Sequence, residues 1–135
     1  MAAEKRLLIV DDEPGIRQII DRTATGLGYE VTATDNADAF KRAYETFAPT
    51  LIVLDIVMPR TDGIELIKWL IERGATASII VASGYNALYA KMAATLGSDR
   101  GLSVSFLDKP FKIDALRDAI RESENGARPR DALTD

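Results

Sequence analysis

Apolar residues in this chain fall into short unbroken runs, separated by longer stretches in which they recur every three or four positions. Four runs are clear: Leu7–Val10 (LLIV), Leu51–Leu54 (LIVL), Ser78–Ala82 (SIIVA) and Val104–Leu107 (VSFL). A fifth, Glu30–Thr34 (EVTAT), is weaker. Each is strand-sized and rich in branched side chains. Between the runs the period changes. Ile16, Ile19, Ile20, Thr23 and Leu27 share one face of a helix, as do Phe40, Ala43, Tyr44 and Phe47, and again Leu66, Ile67, Leu70 and Ile71. Two more helical patterns cover Asn86 to Leu96 and Ile113 to Glu122. The punctuation agrees: Pro14 suits a first helical turn, where its missing N–H costs nothing. Gly28, Gly74 and Gly97 read as helix stops, and Pro49 closes the second helix.

Strands and helices therefore alternate, which implies a parallel sheet with helices on both faces. Strands buried on both sides read as continuous apolar runs, and the first, third and fourth do. The second and fifth admit polar residues, as edge strands do. An order of 2-1-3-4-5 follows, the flavodoxin-like doubly wound arrangement of a five-stranded α/β sheet. Residues 1–124 are expected to form one domain, and 125–135, beginning NGARPRD, a solvated tail or linker.

Composition narrows the chemistry. The 135 residues fit one ordinary domain. The formal charge of -4 argues against nucleic acid as a partner of this domain alone. There is no cysteine, hence no disulfide or thiolate chemistry, and no histidine, hence no phosphohistidine and no imidazole base or zinc ligand. No apolar run approaches the roughly 20 residues of a membrane span. The first run ends too soon, and in acids, for a signal peptide. A soluble, cytoplasmic protein without a membrane partner is expected.

The acids that end the first run are the main puzzle. LLIV runs straight into Asp11, Asp12 and Glu13. In an open α/β sheet, sites form at the carboxyl ends of the strands beside the point where strand order reverses, here between strands 1 and 3. Strand 3 ends in Asp55, so three carboxylates, Asp11, Asp12 and Asp55, are expected to converge. Unscreened, they would raise at least one pKa. Mg²⁺, a hard cation that takes one or two carboxylates plus phosphoryl oxygen and water, would remove the conflict. Strand 4 ends in Ser83–Gly84, a hydroxyl with room beside it. Strand 5 leads to Lys109–Pro110–Phe111, where Lys109 can reach inward as a point charge suited to a phosphoryl oxygen. Capping of the first helix is the ordinary alternative for Asp11 and Asp12, and Glu13 reads as a solvated first-turn acid.

These residues carry a resemblance. With the acid pair after strand 1, Asp55 after strand 3, Met58–Pro59 and Asp62–Gly63 in the next loop, Ser83–Gly84 after strand 4 and Lys109–Pro110–Phe111 after strand 5, the chain resembles the receiver domain of two-component response regulators, from about Lys5 to Arg121. The resemblance implies a phosphorylation-activated switch, autocatalytic in its own phosphorylation and dephosphorylation, with no multiple-turnover substrate. Asp55 would be the phosphoacceptor. Asp12 and Asp55 would bind Mg²⁺ directly, Asp11 mainly through water, and Val57 through its backbone carbonyl. Lys109 and Ser83 would contact the phosphoryl group, and Phe106 would be the aromatic switch that follows Ser83. Tyr85 and Val57 occupy positions that modulate acyl-phosphate lifetime, and an apolar and aromatic pair there points to slow hydrolysis. The donor would be an external sensor histidine kinase or histidine phosphotransfer protein. The output would be a changed helix 4–strand 5–helix 5 face that controls a protein partner or a homodimer.

One departure stands out: Ser83 to Lys109 is a few residues longer than in compact members, and the excess is expected in GSDRG, Gly97–Gly101, as a turn. Rival readings are a flavin mononucleotide carrier, a Mg²⁺-dependent phosphatase with an Asp nucleophile, and a receiver that is never phosphorylated. DDEPG offers acids where a flavin phosphate needs backbone N–H groups. Val57 cannot act as the general acid that the phosphatase needs two residues after its nucleophile. About a dozen residues follow the fifth helix, which leaves open a stand-alone receiver or part of a larger regulator.

Overall fold

A computed structural model of the chain describes residues 4–58, 61–84 and 87–126. The elements, in order, are β1 (Arg6–Val10), α1 (Pro14–Gly26), β2 (Glu30–Thr34), α2 (Ala37–Phe47), β3 (Leu51–Asp55), β4 (Val57–Met58), β5 (Thr61–Asp62), α3 (Gly63–Glu72), β6 (Ser78–Ser83), α4 (Ala87–Asp99), β7 (Ser103–Asp108) and α5 (Ile113–Gly126). β2, β1, β3, β6 and β7 form one parallel sheet in that order, which is the expected 2-1-3-4-5 arrangement once the small β4–β5 hairpin is set aside. Among the described residues no helix is long and apolar enough to cross a membrane.

Side chains alternate across the sheet, so each central strand feeds two cores. Leu8, Val10, Ile52, Leu54, Ile79 and Val81 pack under α2, α3 and α4 with Phe40, Leu66, Ile67 and Leu70. Leu7, Ile9, Leu51, Val53 and Ile80 pack under α1 and α5 with Ile20, Ala24, Leu116 and Ile120. β1, β3 and β6 are buried almost throughout, whereas β2 and β7 keep exposed positions at the edges. Each fully buried branched side chain contributes about 1.5–3 kcal/mol of transfer free energy, so the three central strands dominate the stability of the sheet.

Register is what sets up the site. Val10 pairs with Leu54, so the residues that follow each, Asp11 and Asp55, leave the sheet side by side. Asp55 pairs with Ala82, and Ser83 pairs with Asp108, which puts Ser83 and Lys109 one step beyond the same edge.

Several local expectations need correction. Gly97 does not stop the fourth helix. It is buried inside α4, where a Cβ would lie 2.8 Å from Val104 Cγ2, so the glycine serves close helix–sheet packing. The stop is Gly101, at φ +93°. Gly97–Gly101 is accordingly the last turn of α4 and its exit, not a separate loop. Gly28 and Gly74 do end helices, at φ +94° and +66°. Ile19 is 39% exposed and leaves the core to Ala24, because it sits about 100° around α1 from Ile20. α5 continues to Gly126, two residues into the segment expected as tail, and residues 127–135 lie outside the described residues.

Candidate functional site

Asp11, Asp12 and Asp55 each offer a carboxylate oxygen within 4.8 Å of the others, so the expected convergence occurs. Asp11 is 1% and Asp55 4% exposed, while Asp12 is open to solvent. Asp12 and Asp55 line a crevice together with Glu13, Val57, Gly84 and Lys109.

The backbone around each acid is fixed by local chemistry. The Asp11 N–H donates to Thr34 O at 3.1 Å, and Arg17 Nη1 donates to Asp11 O at 2.8 Å. Asp11 Oδ1 accepts the Glu13 N–H at 2.9 Å, a tight Asx turn that swings the chain from β1 into α1. Neither Asp11 nor Asp12 is the cap of α1. The N-cap residue is Glu13, and its side chain makes no capping bond, with Pro14 following in the first turn. Asp55 Oδ1 accepts the Val57 N–H at 3.1 Å, which turns β3 into the β4–β5 hairpin. That hairpin ends at Asp62, whose Oδ1 accepts the Ile64 N–H at 2.9 Å and caps α3. Gly63 is required there, since a Cβ would come within 2.4–2.7 Å of Ile56, backbone included. Lys109 is aimed from the far side: its N–H donates to Ser83 O at 2.8 Å, the peptide to Pro110 is cis, and a Cβ on Gly84 would crowd Lys109 Cβ at 3.2 Å.

Lys109 Nζ lies 2.8 Å from Asp11 Oδ2, 3.0 Å from Glu13 Oε1 and 3.3 Å from Asp55 Oδ2. Burial alone would depress its pKa, but the hydrogen bond and charge of Asp11, with Asp55 and Glu13, outweigh it and hold the ammonium above its ordinary value. The Asp55 pKa also rises, which for a carboxylate disfavours the charged form. Burial and then the charge of Asp11 push it up to about 6, against the pull of Lys109 and of the Val57 N–H. Asp11 Oδ2 is buried with the Lys109 ammonium 2.8 Å away. A cluster made wholly of hard carboxylate oxygens, two of its three members buried, suits a small divalent cation.

Ser83 Oγ is buried and also has no hydrogen-bond partner among the described residues. A hydroxyl left unpaired in that way is an acceptor or donor waiting for a ligand. Phe106, on β7 opposite Val81, is half-buried against the core under α3 and α4. Val57 is 41% exposed at the crevice. Tyr85, the other expected lifetime modulator, lies outside the described residues. Sequence reasoning missed Glu13. The run of three acids was visible, but a carboxylate at a helix start is ordinarily spent on the helix, and only the fold shows it turned to Lys109.

Comparison with known proteins agrees with this geometry. A family model described as the response regulator receiver domain matches residues 7–121. The chain is similar to the alkaline phosphatase synthesis transcriptional regulatory protein PhoP of Bacillus subtilis, 36% identical over 91% of this chain and 51% of PhoP. It is also similar to the C4-dicarboxylate transport transcriptional regulatory protein DctD of Pseudomonas aeruginosa, 34% identical over 90% of this chain and 25% of DctD. The chain thus spans between about a quarter and a half of the length of these relatives. Among solved structures, a signal receiver domain from Bermanella marisrubri superposes with a TM-score of 0.77 at 30% identity, over 91% of this chain and all of that one.

Proposed function

The chain belongs to the response regulator receiver domain family, and from that premise we propose that it is a phosphorylation-activated switch whose acceptor is Asp55. The observation that carries this reading is a buried carboxylate with two further aspartates within 4.8 Å and an ammonium at 3.3 Å. A carboxylate in that setting is poised for in-line attack on a phosphoryl group, where positioning and charge neutralisation do most of the catalysis.

An Asp55 oxygen forms a bond to phosphorus. The bond from phosphorus to the donor's imidazole nitrogen breaks, its electron pair stays on that nitrogen, and solvent supplies the nitrogen's proton. On the receiver reading the donor is the phosphohistidine of a sensor histidine kinase or a histidine phosphotransfer protein, and these 135 residues hold no histidine to take its place. Asp11, Asp12 and Asp55, with the Val57 carbonyl, are the groups that would hold Mg²⁺. When bound, the cation supplies a hard positive centre that neutralises charge on phosphoryl oxygens. Lys109 neutralises a second side of the same group, and the buried Ser83 hydroxyl donates to it. Phe106 follows Ser83, and the face built from α4, β7 and α5 changes to control a downstream protein or a second copy of the chain. Val57 and Tyr85 govern access of water to the acyl phosphate and favour a long-lived one. The protein acts as a signalling module and turns over no separate substrate.

Incubation with a small acyl phosphate and Mg²⁺, followed by intact mass, tests the reading. One added phosphoryl group is expected, absent after chelation and absent in Asp55→Asn. Labelling that persists in Asp55→Asn moves the acceptor elsewhere.

A further inference from the structure

Glu13 is the residue at the crevice that neither the helix nor the proposed chemistry uses. It sits at the N-cap of α1, yet makes no capping bond there. Its carboxylate reaches instead across the crevice to Lys109 at 3.0 Å. The Lys109 ammonium has three N–H donors, and three carboxylates, of Asp11, Glu13 and Asp55, lie within 3.3 Å of it. A phosphoryl oxygen that recruits Lys109 must compete with these carboxylates for its donors. Asp11 is buried and would be left an unpaired charge in the interior, which is costly. Asp55 is itself the acceptor. The Glu13 side chain is 59% exposed and regains water when released.

We propose that Glu13 is a positioning residue, a placeholder anion that holds the Lys109 ammonium in the crevice and is exchanged for the phosphoryl group when that group arrives. The proposal rests on the receiver reading of the site. Because Glu13 is exposed and regains water, its release tunes the equilibrium by a small factor. It also keeps Lys109 extended into the crevice, so the ammonium need not be ordered at the moment of transfer.

Beryllofluoride, a tetrahedral stand-in for a phosphoryl group, is the probe, with Mg²⁺ present and bound fluoride followed by ¹⁹F resonance. Glu13→Gln is expected to bind it two- to five-fold more tightly than the parent, with the gain shrinking in high salt as the exposed pair is screened. In a Lys109→Met background the same substitution is expected to give no gain, since there is no ammonium to release. An equal gain in both backgrounds would mean plain repulsion between Glu13 and the incoming anion and would overturn the placeholder role, as would no gain in either. A gain in the parent background that is insensitive to salt overturns it too, and this arm is independent of whether Lys109→Met folds. Uptake by the parent with no effect of Glu13→Gln defeats only this proposal. Absence of uptake by the parent defeats the receiver reading and the placeholder with it.

Discussion

Asp55 is the residue at which folding and the proposed function pull in opposite directions. Its carboxyl is pushed up to about 6 by burial and by Asp11, from an unfolded value near about 4. The folded state therefore holds the proton more tightly than the unfolded state. Stability contributed at this position is present at acid pH, falls as pH rises from about 4 through about 6, and stays low above that, a loss on the order of 3 kcal/mol. Asp55→Asn is always neutral and removes the dependence. Without divalent cations the variant is expected to match the parent at pH 4 and to be more stable by about 1–3 kcal/mol at pH 7.5, read from urea melts across that range. A difference that is flat with pH, or that favours the parent at pH 7.5, would mean that the pairing with Lys109 outweighs burial. The same opposition explains why this part of the site was legible in the sequence. Acids that end buried strands are uncomfortable alone, and Asp11, Asp12, Asp55 and Lys109 each stand at a strand end. Glu13 was not legible, because nothing in the local pattern distinguishes a helix-start acid that faces solvent from one that turns to an ammonium 96 positions away.

At the scale of elements, two glycines in helices make opposite predictions. Gly15 lies in the first turn of α1 with open space where a Cβ would stand, nothing coming within 4 Å, whereas a Cβ on Gly97 of α4 would sit 2.8 Å from Val104 Cγ2. Gly15→Ala is expected to stabilise by about 0.5–1 kcal/mol through helix propensity and the unfolded chain's entropy. Gly97→Ala gains the same propensity but forces α4 off β7, and overpacking of about 1–3 kcal/mol turns the sign. Paired thermal melts check both, and stabilisation by Gly97→Ala would remove the packing explanation for that glycine. The chain's pattern is also ambiguous at this scale. A glycine near the end of a helical pattern looks the same whether it ends the helix at positive φ, as Gly101 does, or lets a sheet come close, as Gly97 does. The five strands of the sheet were readable because central parallel strands leave unbroken apolar runs and edge strands do not. β4 and β5, with two residues each, are too short to leave a period.

For the whole molecule, the proposed switch requires that phosphorylation of Asp55 reach a distant face. β6 and β7 supply a continuous path: Ser83 lies one residue beyond the partner of Asp55, it pairs with Asp108, and two steps back Val81 pairs with Phe106. Ser83 Oγ is buried and without a partner among the described residues, so its hydroxyl has everything to gain from a phosphoryl oxygen and nothing to break to reach it. Couplings of this kind are typically about 1–3 kcal/mol, enough to shift a two-state surface about 5- to 150-fold without refolding it. Ser83→Ala separates the two halves of the event. The unphosphorylated variant is expected to be as stable as the parent or more so by about 1 kcal/mol, since an unsatisfied buried hydroxyl is removed. Phosphoryl uptake at Asp55 survives, because Asp55, Lys109 and the other aspartates are untouched. The change in amide resonances along β7 and the adjoining part of α4 on phosphorylation is expected to shrink to a small fraction of the parent's. An undiminished shift there would show that the signal leaves the crevice by another route, through Lys109 and the start of α5, and Ser83 would then be only a strand end with an idle hydroxyl.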